Sequence, residues 1–248
     1  MRTHHLSAAL MAVLLAACTS GPVSPSHGGT GGVKVLLTDS PFPFDQMSRA
    51  DLYIVRVTAG TDSGSTGSAC SGAIPLAEPR QRFNLLDLQR GTTADLGQGS
   101  LPDGDYTAVC ITINTDSSSL TLKTGQVLDH ASDPGVNWSA TGERIIKADI
   151  FRPIAVVDTT GTFVIHFDVG RSFIPAADVE PVGPEGWFYY VPAIDVVDPS
   201  TVGSVTGTVM SGDSLPLAGA SIRAMVGDPA MDPGTWYAAA TGTSDGTG

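Results

Sequence analysis

The sequence predicts an all-β fold, and three features of the chain lead to this prediction. Runs of β-branched and aromatic residues recur from residue 33 onwards, and Gly, Pro, Asp and Ser separate them as turn formers. Only residues 83–89 carry a pattern that allows a helical turn. Many short strands joined by turns are typical of an antiparallel β-sandwich or a barrel-like domain, which is the architecture we expect for the main part of the chain.

The predicted strands follow one another with turn signals between them. Pro41 follows the first strand, Gly60 ends the second, and Gly104 precedes the third. Residues 60–73 are rich in Gly and Ser and predict a long surface loop. The strands are expected at residues 33–38, 52–58, 106–113, 120–122, 145–151, 154–157, 162–169 and 187–197.

Residues 1–17 have the pattern of an export signal. Arg2 gives a weakly positive start, and the apolar run at residues 6–17 is shorter than the roughly 20 residues that span a bilayer. The run ends in Leu-Ala-Ala-Cys at Cys18, which resembles the lipobox of bacterial lipoproteins. The resemblance implies cleavage before Cys18 and a diacylglycerol on its thiol. The alternative is an ordinary secretory signal that is cut after Ala17.

Residues 18–32 are predicted to hold the lipidated Cys18 and a flexible tether. The Gly, Ser and Pro residues of this stretch cannot bury enough apolar surface to order themselves. In the lipoproteins that the lipobox resembles, the acylated cysteine is a durable anchor, and Thr19 in place of aspartate favours the outer membrane. We therefore expect a cell-envelope protein that is anchored to the outer membrane by this lipid.

The charge composition narrows the range of partners. The chain has 25 acidic and 13 basic residues, and its net charge of -12 disfavours a nucleic-acid partner, which requires a basic surface. The same charge disfavours electrostatic docking on anionic lipid. The expected contact with the membrane is therefore the lipid on Cys18.

Several motifs, in a fixed order, resemble one bacterial family. They read VLLTDSP at 35–41, NLLDL at 84–88, LPDGDY at 101–106, HFDV at 166–169 with Ser172, and YYVPAI at 189–194. Together they resemble the domain-of-unknown-function 4382 family over residues 33–197. That family is known mainly for lipoprotein N-termini and has no settled activity, so the resemblance implies fold and location rather than chemistry. We expect the all-β domain at residues 33–199.

The C-terminal residues resemble a second family. GSVTGTV at 203–209 and PLAGASI at 216–222 are similar to a carboxypeptidase-regulatory-like domain, a small β-sandwich of the transthyretin-like or starch-binding-like kind. We expect residues 200–248 to be a partial sandwich, because about fifty residues are too few for a self-sufficient core. Asp213 and Asp245 are expected to form turns, since the spacing of a calcium loop is absent.

No motif of a known catalytic class occurs in the chain. It has no GxSxG elbow, HExxH pair or P-loop, and His166 has no second zinc ligand near it in sequence, so we expect neither metal nor cofactor. Asp149, Asp168 and Asp195 lie in or beside predicted strands. They leave open the carboxylate pair of a glycoside hydrolase, although turn capping is the simpler role. A hydrolase is therefore the least favoured class.

Cys70 and Cys110 remain once Cys18 is assigned to the lipid. An even number of cysteines in an oxidising compartment predicts a disulfide bond. Cys110 lies in a predicted strand and Cys70 in the 60–73 loop, so a bond would attach that loop to the sheet. Two buried thiols are the alternative.

Three classes of function remain: a lipid-anchored binding or adhesion module, a structural envelope lipoprotein without a small ligand, and a hydrolase. The first is favoured, with weak carbohydrate binding as its specific form, because sugar rings stack on flat aromatic faces. Trp138, Trp236 and Tyr237 lie in Gly-, Pro- and Ser-rich stretches and are the expected ligand-binding residues. Residues 187–190 are interpreted instead as a core strand whose alternate rings pack inward. The expected partners are the membrane, a glycan or another envelope protein.

Overall fold

The computed structural model is an all-β protein, as the sequence predicts. It describes residues 29–39, 46–61, 70, 72–89, 91–150, 152–157, 161–178, 183, 185–201, 203, 205–226 and 237–248. The helical residues in these ranges form one short α-helix, α1 (Val169–Ser172), and 3-10 turns at Leu85–Leu88, Ala176–Asp178 and Pro199–Thr201. The first of these turns confirms the helical turn expected within residues 83–89. None of the helices described is long and apolar enough to cross a membrane.

The strands of the main domain lie at the predicted positions, but the two strands predicted at residues 106–113 and 120–122 form one long strand, and strands that the sequence does not predict occur between the others. In chain order they are β1 (Thr30–Asp39), β2 (Met47–Gly60), β3 (Ile74–Ala77), β4 (Gln81–Asn84), β5 (Ala94–Pro102), β6 (Gly104–Tyr106), β7 (Ala108–Leu122), β8 (Val127–Leu128), β9 (Val136–Asn137), β10 (Glu143–Ile150), β11 (Ile154–Val156), β12 (Gly161–Phe167), β13 (Phe173–Pro175), β14 (Phe188–Tyr190) and β15 (Ile194–Val197). β1 begins before the predicted domain start at Val33, and its Gly31 pairs with Leu101 of β5. The end of the predicted tether therefore belongs to the sheet.

One large sheet carries most of these strands. Its strand order is β3-β2-β7-β10-β15-β12-β1-β5, with β4 beside β2 and β8 beside β7. Most neighbours are antiparallel, as expected, but β1 pairs with β12 in parallel and β10 pairs with β15 in parallel. A parallel pair needs a crossover rather than a hairpin, and turn signals along the sequence do not show which distant strands a crossover joins.

The two ends of the large sheet, β3 and β5, pack against each other, so the sheet curls toward a closed, barrel-like sandwich. A Cβ atom on Gly99 of β5 would lie 2.6 Å from the carbonyl oxygen of Leu76 on β3, so this close approach requires glycine. The sequence does not predict β5, because glycine is depleted in strands. Close packing of two backbones selects it here.

The interior of this barrel holds the apolar core. Strands β1 and β12 point every second side chain inward, as the two-residue period of a strand requires. Val33, Val35 and Leu37 of β1 are at most 1% exposed, and Phe163 and Ile165 of β12 are fully buried. The other large, fully buried side chains include Leu52, Ile54, Leu85, Leu101, Ile111, Ile113, Leu120 and Leu128. Both halves of the curled sheet therefore contribute to one core.

The predicted strand at residues 187–197 is in fact two strands, β14 and β15, with a break at Pro192. The N–H of Val191 donates to the carbonyl oxygen of Ser172 at 2.8 Å, and the N–H of Ala193 donates to Ser172 Oγ at 3.0 Å. Proline has no N–H to donate to a neighbouring strand. Ser172, which is fully buried, supplies hydrogen bonds at this break. As a result, β14 belongs to a separate small sheet of β13, β14 and β9.

The C-terminal segment forms an antiparallel ribbon of β16 (Ser221–Val226) and β17 (Tyr237–Thr243). Met210 and Pro216 form an isolated bridge before it. Val205 is 94% exposed, and no described residue of this segment belongs to the buried core. Other exposed large apolar side chains of the segment are those of Met210, Leu215, Leu217, Ile222 and Met225.

Candidate functional site

A cleft with two tryptophans lies beside the small sheet of β13, β14 and β9. Its volume is about 170 Å³, and its walls come from the segment between β8 and β10 and from Trp187, just before β14. Indole rings next to small polar side chains make it a candidate ligand site. The residues that line it are His130, Val136, Asn137, Trp138, Ser139, Ala140, Thr141 and Trp187.

Local hydrogen bonds fix the segment that forms the cleft. Asp129 Oδ1 accepts hydrogen bonds from the N–H groups of Ala131 and Ser132, at 2.9 and 2.8 Å. The N–H of Val136 donates to the carbonyl oxygen of Asp129 at 2.8 Å and closes the turn. A Cβ atom on Gly135 would lie 2.4 Å from the carbonyl oxygen of Ser132, so this turn requires glycine. The wall of the cleft is therefore preformed.

Trp138 forms the floor of the cleft. It is only 2% exposed, and its ring centroid lies 4.8 Å from that of Tyr190 and 5.5 Å from that of Phe173. Its carbonyl oxygen accepts a hydrogen bond from Nη1 of Arg144. The expectation that Trp138 offers an exposed face to a ligand is therefore wrong, because its ring packs into an aromatic cluster of the core.

Trp187 supplies the accessible ring of the cleft. It is half-buried, and its Nε1–H donates to Asp133 Oδ1 at 3.1 Å, which fixes the orientation of the indole. Its carbonyl oxygen accepts the N–H of Ala176 at 2.8 Å, and the N–H of Phe188 donates to the carbonyl oxygen of Gly135 at 3.0 Å. Alternate rings of residues 187–190 pack inward, as the sequence predicts: Tyr190 is buried and Phe188 packs against the core, whereas Trp187 is half-buried and precedes β14, which begins at Phe188.

Asp116 brings a carboxylate to the rim of the cleft. Its Oδ1 accepts the N–H of Gly142 at 3.0 Å and lies 3.9 Å from Nε2 of His130, a lining residue. The hydroxyl of Thr115, which is fully buried, lies 3.2 Å from the carbonyl oxygen of Ala140 and 3.1 Å from that of Gly142. These contacts attach the far side of the cleft to β7.

Asp129 and Asp133 add two further carboxylates near the cleft. The hydrogen bond from the N–H of Ala131 is the main reason why the pKa of the Asp129 carboxyl lies below its usual range. Asp129 is therefore ionised at neutral pH. Arg144 is the nearby cation, and its Nη1 bonds to the carbonyl oxygen of Trp138. With Asp116, these carboxylates give the rim of the cleft a negative character.

Two buried polar groups have no hydrogen-bond partner among the described residues, namely Nε1 of Trp138, which lines the cleft, and the hydroxyl of Tyr190, whose ring packs on that of Trp138. The two residues are 2% and 4% exposed. Burial raises the pKa of Tyr190, so its hydroxyl stays protonated. Buried polar groups are normally hydrogen-bonded, so these two groups are exceptions to the general pattern.

Cys70 and Cys110 form the predicted disulfide bond. Their sulfur atoms are 2.00 Å apart and their Cα atoms 5.9 Å apart. Cys110 lies in β7, and Cys70 lies in the connection between β2 and β3. The bond therefore attaches this connection to the large sheet, as the sequence predicts.

Three other residues that the sequence singled out are not assigned to the cleft. Cys18 and Trp236 lie outside the described residues. Tyr237 is the first residue of β17, where its backbone pairs with that of Val226. The aromatic pair Trp236-Tyr237 is therefore not assigned to the candidate site.

The buried aspartates of the main domain have structural roles. Asp168 is 7% exposed, and its Oδ1 accepts the N–H of Arg171 at 2.9 Å as the N-cap of α1. Asp39 Oδ1 accepts the N–H of Val169 at 3.1 Å. These bonds connect the end of β1 to the turn that follows β12. Asp168 is thus engaged in capping, the simpler of the two roles considered for it.

His166 and Asp195 are register partners on β12 and β15, and the backbone of Asp149 pairs with that of Asp195. Burial lowers the pKa of His166, so its imidazole is neutral at pH 7. Among the residues that the structure describes, no group of three or more His, Cys, Asp or Glu side chains is arranged to hold a metal ion.

The fold and the cleft define an all-β domain with a preformed aromatic cleft at its surface. Residues 30–180 match the family model described as Domain of unknown function (DUF4382). The chain belongs to this family, which confirms the resemblance carried by its motifs. No curated protein and no solved structure matches the chain.

Proposed function

We propose that this chain is a lipid-anchored cell-envelope protein whose β-domain binds glycan in the cleft around Trp187, called the Trp187 cleft below. The observation that carries the proposal is the half-buried ring of Trp187, which Asp133 orients beside the exposed side chains of Asn137, Ser139 and Thr141. The accessible aromatic ring and the polar groups around it belong to one preformed cleft.

A sugar ring presents two kinds of surface, and the Trp187 cleft offers a partner for each. The apolar C–H face of a sugar stacks on an indole, which has the largest flat face of any side chain. Asn137 Oδ1 accepts the N–H of Ser139 at 2.9 Å, so the amide nitrogen of Asn137 retains two donors for sugar hydroxyls. The hydroxyls of Ser139 and Thr141 both donate and accept.

Trp187→Ala should weaken glycan binding about tenfold, because the central aromatic of a binding site contributes on the order of 1.4 kcal/mol or more. The measurement is depletion of the full-length protein from solution by insoluble cellulose, chitin, chitosan, starch and peptidoglycan. Bound and free protein are quantified at a series of polysaccharide concentrations, and circular dichroism checks that the variant is folded.

Two variants separate ring stacking from a general loss of structure. Trp187→Tyr keeps a flat ring and should retain most of the binding. Tyr53→Ala removes a half-buried aromatic of β2 that does not line the cleft, and it should bind like the wild type. If the wild type is retained on none of these polysaccharides, glycan binding is rejected, and a structural envelope lipoprotein becomes the preferred function.

The anchor forms the second part of the proposal. The export pattern of residues 1–17 ends at Cys18, and the Gly- and Ser-rich residues that follow lead to β1 at Thr30. A flexible linker of this length has a mean reach of about 20 Å. We propose that the lipid on Cys18 holds the protein at the outer membrane and that the linker presents the domain to the surroundings.

Cys18→Ala should release the protein from the membrane, because the thiol that carries the lipid is removed. The measurement is phase partitioning in Triton X-114, in which a lipoprotein enters the detergent phase. The double variant Cys70→Ala/Cys110→Ala is the matched control, since it removes the other two cysteines and should partition like the wild type. A Cys18→Ala protein that still enters the detergent phase would contradict the anchor.

We also propose that residues 200–248 are part of a carboxypeptidase-regulatory-like β-sandwich. Two observations support this: β16 and β17 pair in antiparallel fashion, and the turn that contains Asp245 follows β17. The exposed apolar side chains of this segment, such as those of Val205 and Leu215, agree with a sandwich that lacks part of its core.

A further inference from the structure

We infer that the Trp187 cleft selects a sugar with a free amine, such as a glucosamine unit, over neutral and anionic sugars. This inference rests on the proposed glycan binding and names the class of sugar. It follows from three observations that concern the same cleft: carboxylates on the rim, an oriented indole face, and an indole N–H in the floor that has no partner among the described residues.

The rim of the cleft favours a positive ligand. Asp133 contacts the indole of Trp187, and Asp116 lies 3.9 Å from the imidazole of His130, so each carboxylate touches a lining side chain. Asp129 is held in its ionised form by backbone hydrogen bonds. An ammonium group in the cleft would meet these carboxylates, whereas a uronate or a phosphate would be repelled by them.

The cations near the cleft offset this charge only in part. Arg144 keeps its positive charge when its Nη1 bonds to the neutral carbonyl oxygen of Trp138, but the three carboxylates of the rim outnumber it. His130 is charged only when it is protonated. The whole chain carries a net charge of -12, which adds to the negative potential at the rim. Charge therefore distinguishes an amine-bearing sugar from an acidic one before any contact is made.

The indole of Trp187 adds a second reason for an amine. The face of a tryptophan ring attracts a cation placed over it, in addition to stacking with the C–H face of a sugar. The Nε1–H of Trp187 donates a hydrogen bond to Asp133 Oδ1 at 3.1 Å. This bond orients the ring and places a carboxylate next to it. An amino sugar stacked on this ring would meet a π face and a carboxylate together.

The floor of the cleft shows that the site is not simply an acidic surface. Trp138 lines the cleft, and its Nε1–H has no hydrogen-bond partner among the described residues although the residue is only 2% exposed. A ligand oxygen could bond to this donor only if the floor of the cleft opened slightly, because the nitrogen atom itself is shielded from solvent. A sugar provides both the oxygen and the ring, whereas a lysine side chain provides neither.

The experiment is calorimetric titration of the full-length protein in detergent with three β-1,4 hexasaccharides, built of glucosamine, N-acetylglucosamine or glucose. We expect the glucosamine hexamer to bind about fivefold more tightly than either neutral hexamer, as one exposed ion pair would give. This preference should disappear in about 1 M salt, where the Debye length is about 3 Å.

Asp133→Asn is the decisive variant, because asparagine keeps the carbonyl oxygen that accepts the Trp187 N–H but removes the charge. It should reduce the preference for the glucosamine hexamer to near parity. The readout is the ratio of the affinities for the glucosamine and the neutral hexamers, because Asp133 also orients the ring on which every hexamer stacks. Asp105→Asn is the matched control, since it removes one exposed carboxylate from β6 and should keep the preference.

The outcomes separate this inference from the proposed function. Equal binding of all three hexamers, unchanged in Asp133→Asn, would overturn amine selection and leave glycan binding intact. Binding of none of them would reject both. Hexalysine that binds as tightly as the glucosamine hexamer, with the same dependence on Asp133, would also overturn the inference, because it would show attraction of any polycation.

Discussion

Trp138→Ala is expected to lower the free energy of unfolding by about 3–5 kcal/mol, the range for a buried large aromatic replaced by alanine. Trp138 is 2% exposed, and its ring packs on those of Tyr190 and Phe173 at 4.8 and 5.5 Å. Removal of the indole would leave a cavity between these rings and remove their aromatic contacts with it. The measurement is urea unfolding followed by far-ultraviolet circular dichroism.

The size of this effect distinguishes the two tryptophans of the cleft. Trp187→Ala removes a half-buried indole and should cost clearly less stability than Trp138→Ala, while it removes most of the glycan binding. Trp138→Phe should recover part of the lost stability, because a ring again fills the site. Equal unfolding midpoints for Trp138→Ala and the wild type would contradict the buried position of Trp138.

Loss of the disulfide bond is expected to have an effect of similar size. The bond between Cys70 and Cys110 closes a loop with a sequence separation of 40 residues. In the chain-entropy model, such a cross-link stabilises the folded state by about 4 kcal/mol, because it restricts the unfolded chain. The double variant Cys70→Ala/Cys110→Ala should therefore unfold at a much lower urea concentration than the wild type.

Cys18→Ala is the control for this measurement, since it removes a cysteine without removing the bond. Its unfolding midpoint, measured in detergent for both proteins, should equal that of the wild type. Thiol titration of the folded Cys18→Ala protein should give no reactive thiol. Two thiols that titrate there, or a double variant as stable as the wild type, would contradict the disulfide bond.

Local patterns in the sequence are sufficient to predict much of the fold. Runs such as residues 33–38 and 162–169 alternate in burial once they are folded, because the period of a strand is a local property of the backbone. The turn signal at residues 102–104 is also local and falls where β5 ends and β6 begins. The pairing of Cys70 with Cys110 is predicted by the number of cysteines: once Cys18 is assigned to the lipid, the two that remain allow only one disulfide bond.

The cleft was only partly predictable. The sequence identifies Trp138, but the Gly- and Ser-rich stretch around it predicts an exposed ring, whereas the structure buries it. The sequence favours a core strand for residues 187–190, which makes Trp187 a poorer candidate than Trp138 for ligand binding. Gly186, with φ of +78°, marks a turn just before Trp187 and was the signal that could have placed this ring at the end of the strand.

By itself, the sequence determined the all-β class, the family and the disulfide pairing, because these depend on short-range periodicity, motifs and residue counts. Only the tertiary structure decided that β1 pairs with β12, that Gly99 packs on Leu76, and that Trp187 rather than Trp138 is the accessible ring of the cleft. The physical reason is that exposure of a side chain depends on which distant segments pack over it. The residue pattern of a single strand indicates which of its faces turns inward. The crossovers between distant strands determine which segments pack over that face.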